Sequence, residues 1–191
     1  MASSVLGSIC LCAPDKYIVA TDSADSKTYV ITVTGTVPAI GTGQTYDASG
    51  TQVSLLYLNP NRGVAFFQDG TNRVARVFTE SGTVLTFGTK TTIVAGTGNR
   101  MPCALFADGL EFGTVLASNI LPYQFTINGT TPTFTLSGTY TAIGTFGLTD
   151  LSRIRNGVFV NTYTPTASAA QYVATFGYTM PQLRSFGILQ S

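Results

Sequence analysis

Short apolar and β-branched runs recur along the whole chain, and residues that favour turns bound each run. The clearest series has runs at 53–58, 64–68, 73–79 and 83–88. Asn-Pro, Asp-Gly and Ser-Gly pairs separate these runs, and the pairs with Gly favour tight turns because Gly adopts a positive φ without strain. No stretch shows the period of a long amphipathic helix. The pattern therefore predicts an all-β chain built from four-stranded antiparallel meanders.

Glycines recur in the turns of this pattern at a constant interval. Gly35, Gly82 and Gly129 are successively 47 residues apart, in Thr-Gly-Thr, Ser-Gly-Thr and Asn-Gly-Thr, and Gly177 follows one residue late. We interpret the four glycines as equivalent turns of a repeated unit. The prediction is a single domain, residues 1–191, of four repeats of about 47 residues, at approximately 1–48, 49–95, 96–143 and 144–191.

A second turn is predicted within each repeat. Asp69 and Gly70 form it in the second copy, and Asp22 lies 47 residues earlier at the same place in the first. Asp108 and Gly109 are interpreted as the same turn in the third copy, 39 residues after Asp69. The third copy is therefore predicted to have slipped by about eight residues against the period, with the difference absorbed at 117–122.

Four meanders of this size in series resemble the blades of a β-propeller, which are four-stranded sheets arranged around a central channel. This resemblance covers nearly the whole chain and rests on length, strand number and turn placement. A β-sandwich or an open repeat array is the alternative fold. The composition, rich in Thr and Gly, low in charge and free of His, also resembles that of bacteriophage virion proteins of the tail, fibre or capsid-decoration type.

The composition of the chain limits the classes of partner that the protein is expected to bind. Charged residues make up 10% of the chain, against roughly 25% in an ordinary soluble domain, and the net charge is +1. This balance argues against a nucleic-acid partner, and we expect the four arginines at 62, 73, 76 and 100 to be scattered. No apolar run reaches the ~20 residues of a membrane span. The N-terminus lacks the basic region of a secretory signal, so we expect synthesis in a host cytoplasm and a place in a virion, or alternatively a cytoplasmic protein.

Residues with catalytic chemistry are few. The chain has no His, so it cannot assemble a Ser-His-Asp or Cys-His nucleophile. Its spacing nominates no carboxylate pair for glycoside hydrolysis, and Asp22, Asp69 and Asp108 are assigned to turns. Cys10, Cys12 and Cys103 are an odd set that suits reduced thiols rather than a metal site. We predict no catalytic residues, no cofactor and no metal ion, and therefore no enzyme.

The predicted function is a non-enzymatic structural or adhesive virion protein that mediates subunit assembly or attachment. Its expected partners are further copies of itself or other virion proteins. A glycan-binding lectin is the alternative, with a surface glycan as the ligand, because nine Tyr offer flat faces for stacking. The match of Asp22 with Asp69 is the one sign of a pocket that repeats. A carboxylate-dependent enzyme is the third hypothesis.

Overall fold

The computed structural model describes residues 5–22, 26–59, 61–96, 98, 100–106, 111–117, 121–136, 146–155, 158–165 and 172–177. Within these ranges the chain forms strands and turns and no helix. The strands form antiparallel sheets in which chain neighbours pair. The all-β prediction and the meander order are therefore confirmed.

The first sheet has the order β1-β2-β3-β4, with β5 also paired to β3. Its strands are β1 (Val5–Ala13), β2 (Lys16–Asp22), β3 (Lys27–Thr34), β4 (Val37–Ile40) and β5 (Gln44–Thr45). Because β4 pairs with one half of β3 and β5 with the other, the two short strands together form one broken edge.

The second sheet repeats this arrangement. Its strands are β6 (Thr51–Asn59), β7 (Arg62–Gln68), β8 (Asn72–Ser81), β9 (Val84–Phe87) and β10 (Thr91–Ala95). Both β9 and β10 pair with β8. The four predicted runs of this repeat correspond to β6 to β9, whereas the continuation of the edge as β10 was not predicted.

The third and fourth sheets contain the remaining strands. The third comprises β11 (Cys103–Leu105), β12 (Phe112–Ala117), β13 (Leu121–Asn128) and β14 (Thr131–Leu136). The fourth is described for β15 (Phe146–Arg155), β16 (Val158–Pro165) and β17 (Tyr172–Gly177). Because the fourth sheet is described for three strands only, the division into four equal repeats stays a prediction.

Asp108 and Gly109 do not stand where the prediction placed them in the order of strands. These residues follow β11 and precede β12, so they lie between the first and second strands of their sheet. Asp69 and Gly70 instead connect the second and third strands of theirs. The alignment that produced a slip of about eight residues was therefore wrong, because the two similar Asp-Gly pairs stand between different strands of their sheets. The geometry of Asp108 and Gly109 themselves lies outside the described residues.

The turns that carry the recurring glycines share one geometry. Gly35, Gly82 and Gly129 have φ values of 64°, 64° and 61°, in the left-handed region that only Gly adopts without strain. Each follows the third strand of its sheet. Gly177 is instead the last residue of β17, opposite Val158, and the turn predicted there continues outside the described residues.

The Asp-Gly turn of the second sheet is also formed as its sequence suggests. Gly70 has a φ of 92°. One carboxylate oxygen of Asp69 accepts hydrogen bonds from the backbone N–H groups of Thr71, at 3.3 Å, and Asn72, at 2.9 Å. An Asp side chain that bonds the backbone two or three residues ahead is a common stabiliser of such turns.

Successive sheets pack face to face with apolar side chains between them. One cluster, which includes Ile18, Val30, Leu55 and Phe78, fills the space between the first and second sheets. Another, which includes Phe66, fills the space between the second and third sheets. The second sheet is therefore apolar on both faces, the pattern expected of a sheet that is covered on both sides.

The contact between successive sheets recurs with the same 47-residue interval as the turns. At Gly41 an added Cβ would lie 3.0 Å from Cβ and O of Thr83, and at Gly88 it would lie 2.9 Å from the same atoms of Thr130. Each glycine marks the break in the edge strand of its sheet, and each threonine follows a recurring turn glycine in the next sheet. The absence of a side chain on the glycine thus allows the next turn to approach.

The interfaces follow the order of the sheets along the chain. Strand β6 packs against β1 and β2 of the first sheet and against β11 of the third, and β11 also packs against β15 of the fourth. Among the described strands, no extensive contact of this kind joins the first sheet to the fourth. The described sheets therefore form a series rather than a closed ring.

Candidate functional site

The first sheet has an apolar face that points away from the second sheet. Side chains directly opposite one another in paired strands lie on the same face. The pairings Ile9–Val19–Tyr29 and Leu11–Tyr17–Ile31–Ile40 run across the sheet in two rows. We call this surface the outer face; it consists of Ile9, Leu11, Tyr17, Val19, Tyr29, Ile31, Val33 and Ile40.

The outer face is both exposed and uncharged. Ile9 is 55% exposed, Leu11 60% and Ile40 68%, and its other members are half-buried. Lys27 lies at its edge, opposite Thr45. Contiguous apolar surface of this kind on a soluble protein marks a place of contact with another molecule.

The equivalent face of the second sheet is buried. The row Leu11–Tyr17–Ile31–Ile40 corresponds in register to Tyr57–Gly63–Phe78–Phe87. Phe78 is fully buried under the first sheet, and Leu55, the counterpart of Ile9, is only 7% exposed. The difference between the two faces is therefore the presence of a preceding sheet, since both are apolar.

Ion pairs join successive sheets, and their cations, though not their carboxylates, occupy equivalent positions. Lys16, the first residue of β2, places its Nζ 2.6 Å from Oε1 of Glu80 in the second sheet. Arg62, the first residue of β7, places a guanidinium nitrogen 2.7 Å from Oε1 of Glu111, immediately before β12. Val33 occupies on the outer face the position that Glu80 has in the second sheet. The counterpart of Glu111 in the first sheet is Asp15, since the N–H of Val33 donates to the carbonyl oxygen of Asp15 as that of Ile127 does to the carbonyl oxygen of Glu111.

Side chains of the first sheet also bond the backbone of β6, where that strand bulges between Thr51 and Ser54. The N–H of Leu55 donates to Oγ of Ser8 at 3.0 Å. The N–H of Val53 donates to a carboxylate oxygen of Asp22 at 2.8 Å. Side-chain oxygens of the first sheet thus accept hydrogen bonds from backbone N–H groups at the irregular part of β6, where the neighbouring strand does not pair regularly.

Three charged side chains form a network at one end of the second sheet. Nζ of Lys90 lies 3.0 Å from a carboxylate oxygen of Asp47 and 3.0 Å from one of Asp69, and we call this group the Lys90 network. Burial opposes the ionisation of both acids, but hydrogen bonds from neighbouring backbone N–H groups and from Lys90 outweigh it and lower the pKa of each. The hydrogen bond to Asp47 is the main cause that raises the pKa of Lys90.

This network does not resemble a pair of catalytic carboxyl groups. A glycosidase needs one carboxyl group with a raised pKa, so that it stays protonated and donates its proton to the leaving group. Asp47 and Asp69 both have a lowered pKa, and both cap turns, since Asp47 also accepts from the N–H of Ser49 at 3.0 Å. The arrangement supports a structural role for these acids.

The four arginines occupy separate environments rather than one basic patch. Arg62 bonds Glu111 and the carbonyl oxygen of Gly129, and Arg100 contacts Asp22 at 3.5 Å. Arg76 donates to the backbone carbonyls at 46 and 88, at 2.6 and 2.8 Å. Arg73 is 4% exposed, and burial lowers the pKa of its guanidinium.

None of the three cysteines forms a disulfide, and all three are partly buried. Cys10 and Cys12 pack against the cluster between the first two sheets, while Leu11 between them is exposed. Burial, with a smaller contribution from Cys12, raises the pKa of the Cys10 thiol to about 12. Such a thiol stays protonated at neutral pH and reacts slowly as a nucleophile. Within the described ranges, no group of three or more Cys, Asp or Glu is arranged to hold a metal ion.

The predicted equivalence of Asp22 and Asp69 is not seen in their surroundings. Asp22 ends β2 and bonds the second sheet, and its register position corresponds to Gln68. Asp69 follows β7 and caps its own turn. The lectin hypothesis therefore loses the sign of a repeated pocket.

In the described part of the chain no helix is long and apolar enough to span a membrane.

Comparison of the chain with protein-family models, with curated proteins and with solved structures found no match. We therefore infer the function from the geometry of the sheets.

Sequence reasoning did not single out the outer face. Its signal was present in the alternation of β1, where Cys10 and Cys12 point to one side and Ile9 and Leu11 to the other. All four are apolar, so the alternation alone does not distinguish a covered face from an exposed one. The structure was needed to show that no described strand covers this face.

Proposed function

We propose that the protein is a non-enzymatic structural subunit that assembles with other subunits through the outer face of its first sheet. One observation carries the proposal: a face whose counterpart in the second sheet is buried is here apolar, uncharged and exposed. Burial of apolar surface is the dominant favourable contribution to most protein–protein association. A sheet with two apolar faces is typical of a sheet that is covered on both.

The virion location and the attachment role belong to the same proposal and are supported by composition alone. A low charge and a surface rich in Thr and Gly are typical of proteins packed among other subunits. A propeller-like order of the sheets is also proposed, without closure between the first and the fourth among the described strands. Face-to-face packing in chain order supports both a propeller and an open array, and a closed ring would need the first sheet to meet the fourth.

The experiment compares sedimentation velocity of the wild-type protein with two single variants. Leu11→Glu places a charge on the outer face, and Val84→Glu is the matched control on the edge of the second sheet, where the side chain is 50% exposed. We expect the wild type and the control to sediment as the same assembly and Leu11→Glu to sediment as a smaller species. Identical sedimentation of all three proteins would contradict the proposal.

A further inference from the structure

The repeated packing of the sheets indicates what kind of surface fits the outer face. In the second sheet, the equivalent face is covered by the first sheet, strand against strand, with β6 lying on β1 and β2. The second sheet in turn covers the third through β6 and β11. The surface that fits the outer face is therefore the face of another such sheet, namely the face with which a sheet packs on the next sheet of its chain.

The turn at Gly35 supports the same conclusion. Thr36, Thr83 and Thr130 follow the three recurring turn glycines, whose φ values agree within a few degrees. Thr83 packs on a glycine of the preceding sheet, and so does Thr130. Thr36 lies at the same place in a turn of the same geometry, and no described sheet precedes it. The first sheet thus retains the shape by which later sheets engage the one before them.

The order in which the sheets pack along the chain points to the fourth sheet. Each of the first three sheets is followed by the next sheet of its own chain, as the contacts of β6 with β1, β11 with β6 and β15 with β11 show. The fourth sheet is the last described in the series. Within one chain, the described strands of the first and fourth sheets have no extensive contact.

We propose that the outer face is the docking site for the fourth sheet of a second copy of this chain, so that copies associate head to tail. This inference rests on the structural role proposed above and specifies the partner. A head-to-tail contact uses two different surfaces, so it leaves one of each free at the ends of a linear assembly or closes into a ring of copies.

Mixing of wild-type and Leu11→Lys chains tests this arrangement. Leu11 is 60% exposed, so we expect the single chain to fold with this substitution, and Val84→Lys is the control. Native mass spectrometry counts the copies of each chain in every complex. A Leu11→Lys chain has a blocked outer face but retains its fourth sheet. Such a chain can occupy only one end of a linear assembly.

We expect Leu11→Lys alone to be monomeric or to associate at least about tenfold more weakly, which corresponds to the loss of about 1.4 kcal/mol. In the mixture, linear complexes contain at most one Leu11→Lys copy, and the mean number of copies falls as the variant is added. The Val84→Lys chain enters complexes without this limit. A second outer-face variant, Ile40→Glu, gives the same result as Leu11→Lys.

Other outcomes overturn the inference and remain distinguishable from failure of the structural role. Complexes that exclude Leu11→Lys entirely indicate two outer faces packed on each other. Assembly that is insensitive to Leu11→Lys leaves a structural role but removes this docking site. A strictly monomeric wild type whose melting temperature falls with Leu11→Lys and not with Val84→Lys shows that the outer face is covered by its own chain.

Discussion

Removal of the amino group of Lys16 is expected to destabilise the contact between the first two sheets. The Glu80 side chain is 3% exposed and its Oε1 lies 2.6 Å from Nζ of Lys16, whose own side chain is 22% exposed. Loss of one partner from a fully buried pair costs about 3–5 kcal/mol, because the other charge stays buried and unpaired. Since Lys16 is partly solvated, we expect Lys16→Met to lower the free energy of unfolding by roughly 2–4 kcal/mol.

Removal of the carboxylate of Glu80 is expected to lower the free energy of unfolding by less than removal of the amino group of Lys16. Glu80→Gln leaves the charge on Lys16, and this side chain reaches water, so the loss is about 1–2 kcal/mol. The double variant is expected to cost less than the sum of the two single variants, since neither charge then remains unpaired. Lys27→Met is the control, because Lys27 makes no ion pair with any described residue.

The assay is urea unfolding followed by circular dichroism and tyrosine fluorescence, because the chain has nine Tyr and no Trp. For a protein of this size, roughly 2–4 kcal/mol corresponds to a fall of about 4–16 °C in the melting temperature. A Lys16→Met protein as stable as the Lys27→Met control would refute the reasoning, since Glu80 would then not depend on its partner.

Further predictions concern the packing between sheets and the charges of the second sheet. Gly88→Ala is expected to lower the free energy of unfolding, measured with urea, by about 1–3 kcal/mol, because the added Cβ would lie 2.9 Å from two atoms of Thr130. An unchanged free energy of unfolding would contradict this tight packing. Ser8→Ala is expected to lower the free energy of unfolding by about 1 kcal/mol, because the hydrogen bond from the N–H of Leu55 is lost. Ser54→Ala is expected to be neutral or stabilising, because its buried Oγ has no described partner. An equal loss of stability in the two variants would contradict this. The Lys90 network lowers the pKa of its two acids, so its stabilisation is complete above their ordinary value of 3.8 and is lost as the pH falls through the lowered values; thermal unfolding as a function of pH, with Lys90→Met for comparison, is expected to show a smaller acid loss in the variant.

The turns and strands were predictable because their causes are local. Gly35, Gly82 and Gly129 adopt a positive φ, and Asp69 caps the turn that contains Gly70. Apolar runs between such turns form strands whichever sheet they join. For the same reason the all-β class and the meander order followed from sequence alone.

The features that sequence reasoning missed depend on contacts between distant parts of the chain. The edge strand of the second sheet breaks at Gly88, where Thr130 of the next sheet packs. The Asp-Gly pair at 108–109 resembles that at 69–70, and only the strand order assigns it to a different turn. The outer face differs from its buried counterpart in what covers it, and that difference is absent from the local sequence.

The mass of the wild-type protein in solution, measured by light scattering over a range of concentrations, tests the central claim most directly. The chain has a mass of 20.1 kDa. Assembly through the outer face predicts a mass above that of one chain that rises with concentration or is fixed at a multiple of it. A mass that stays at that of one chain at every concentration would contradict association between copies.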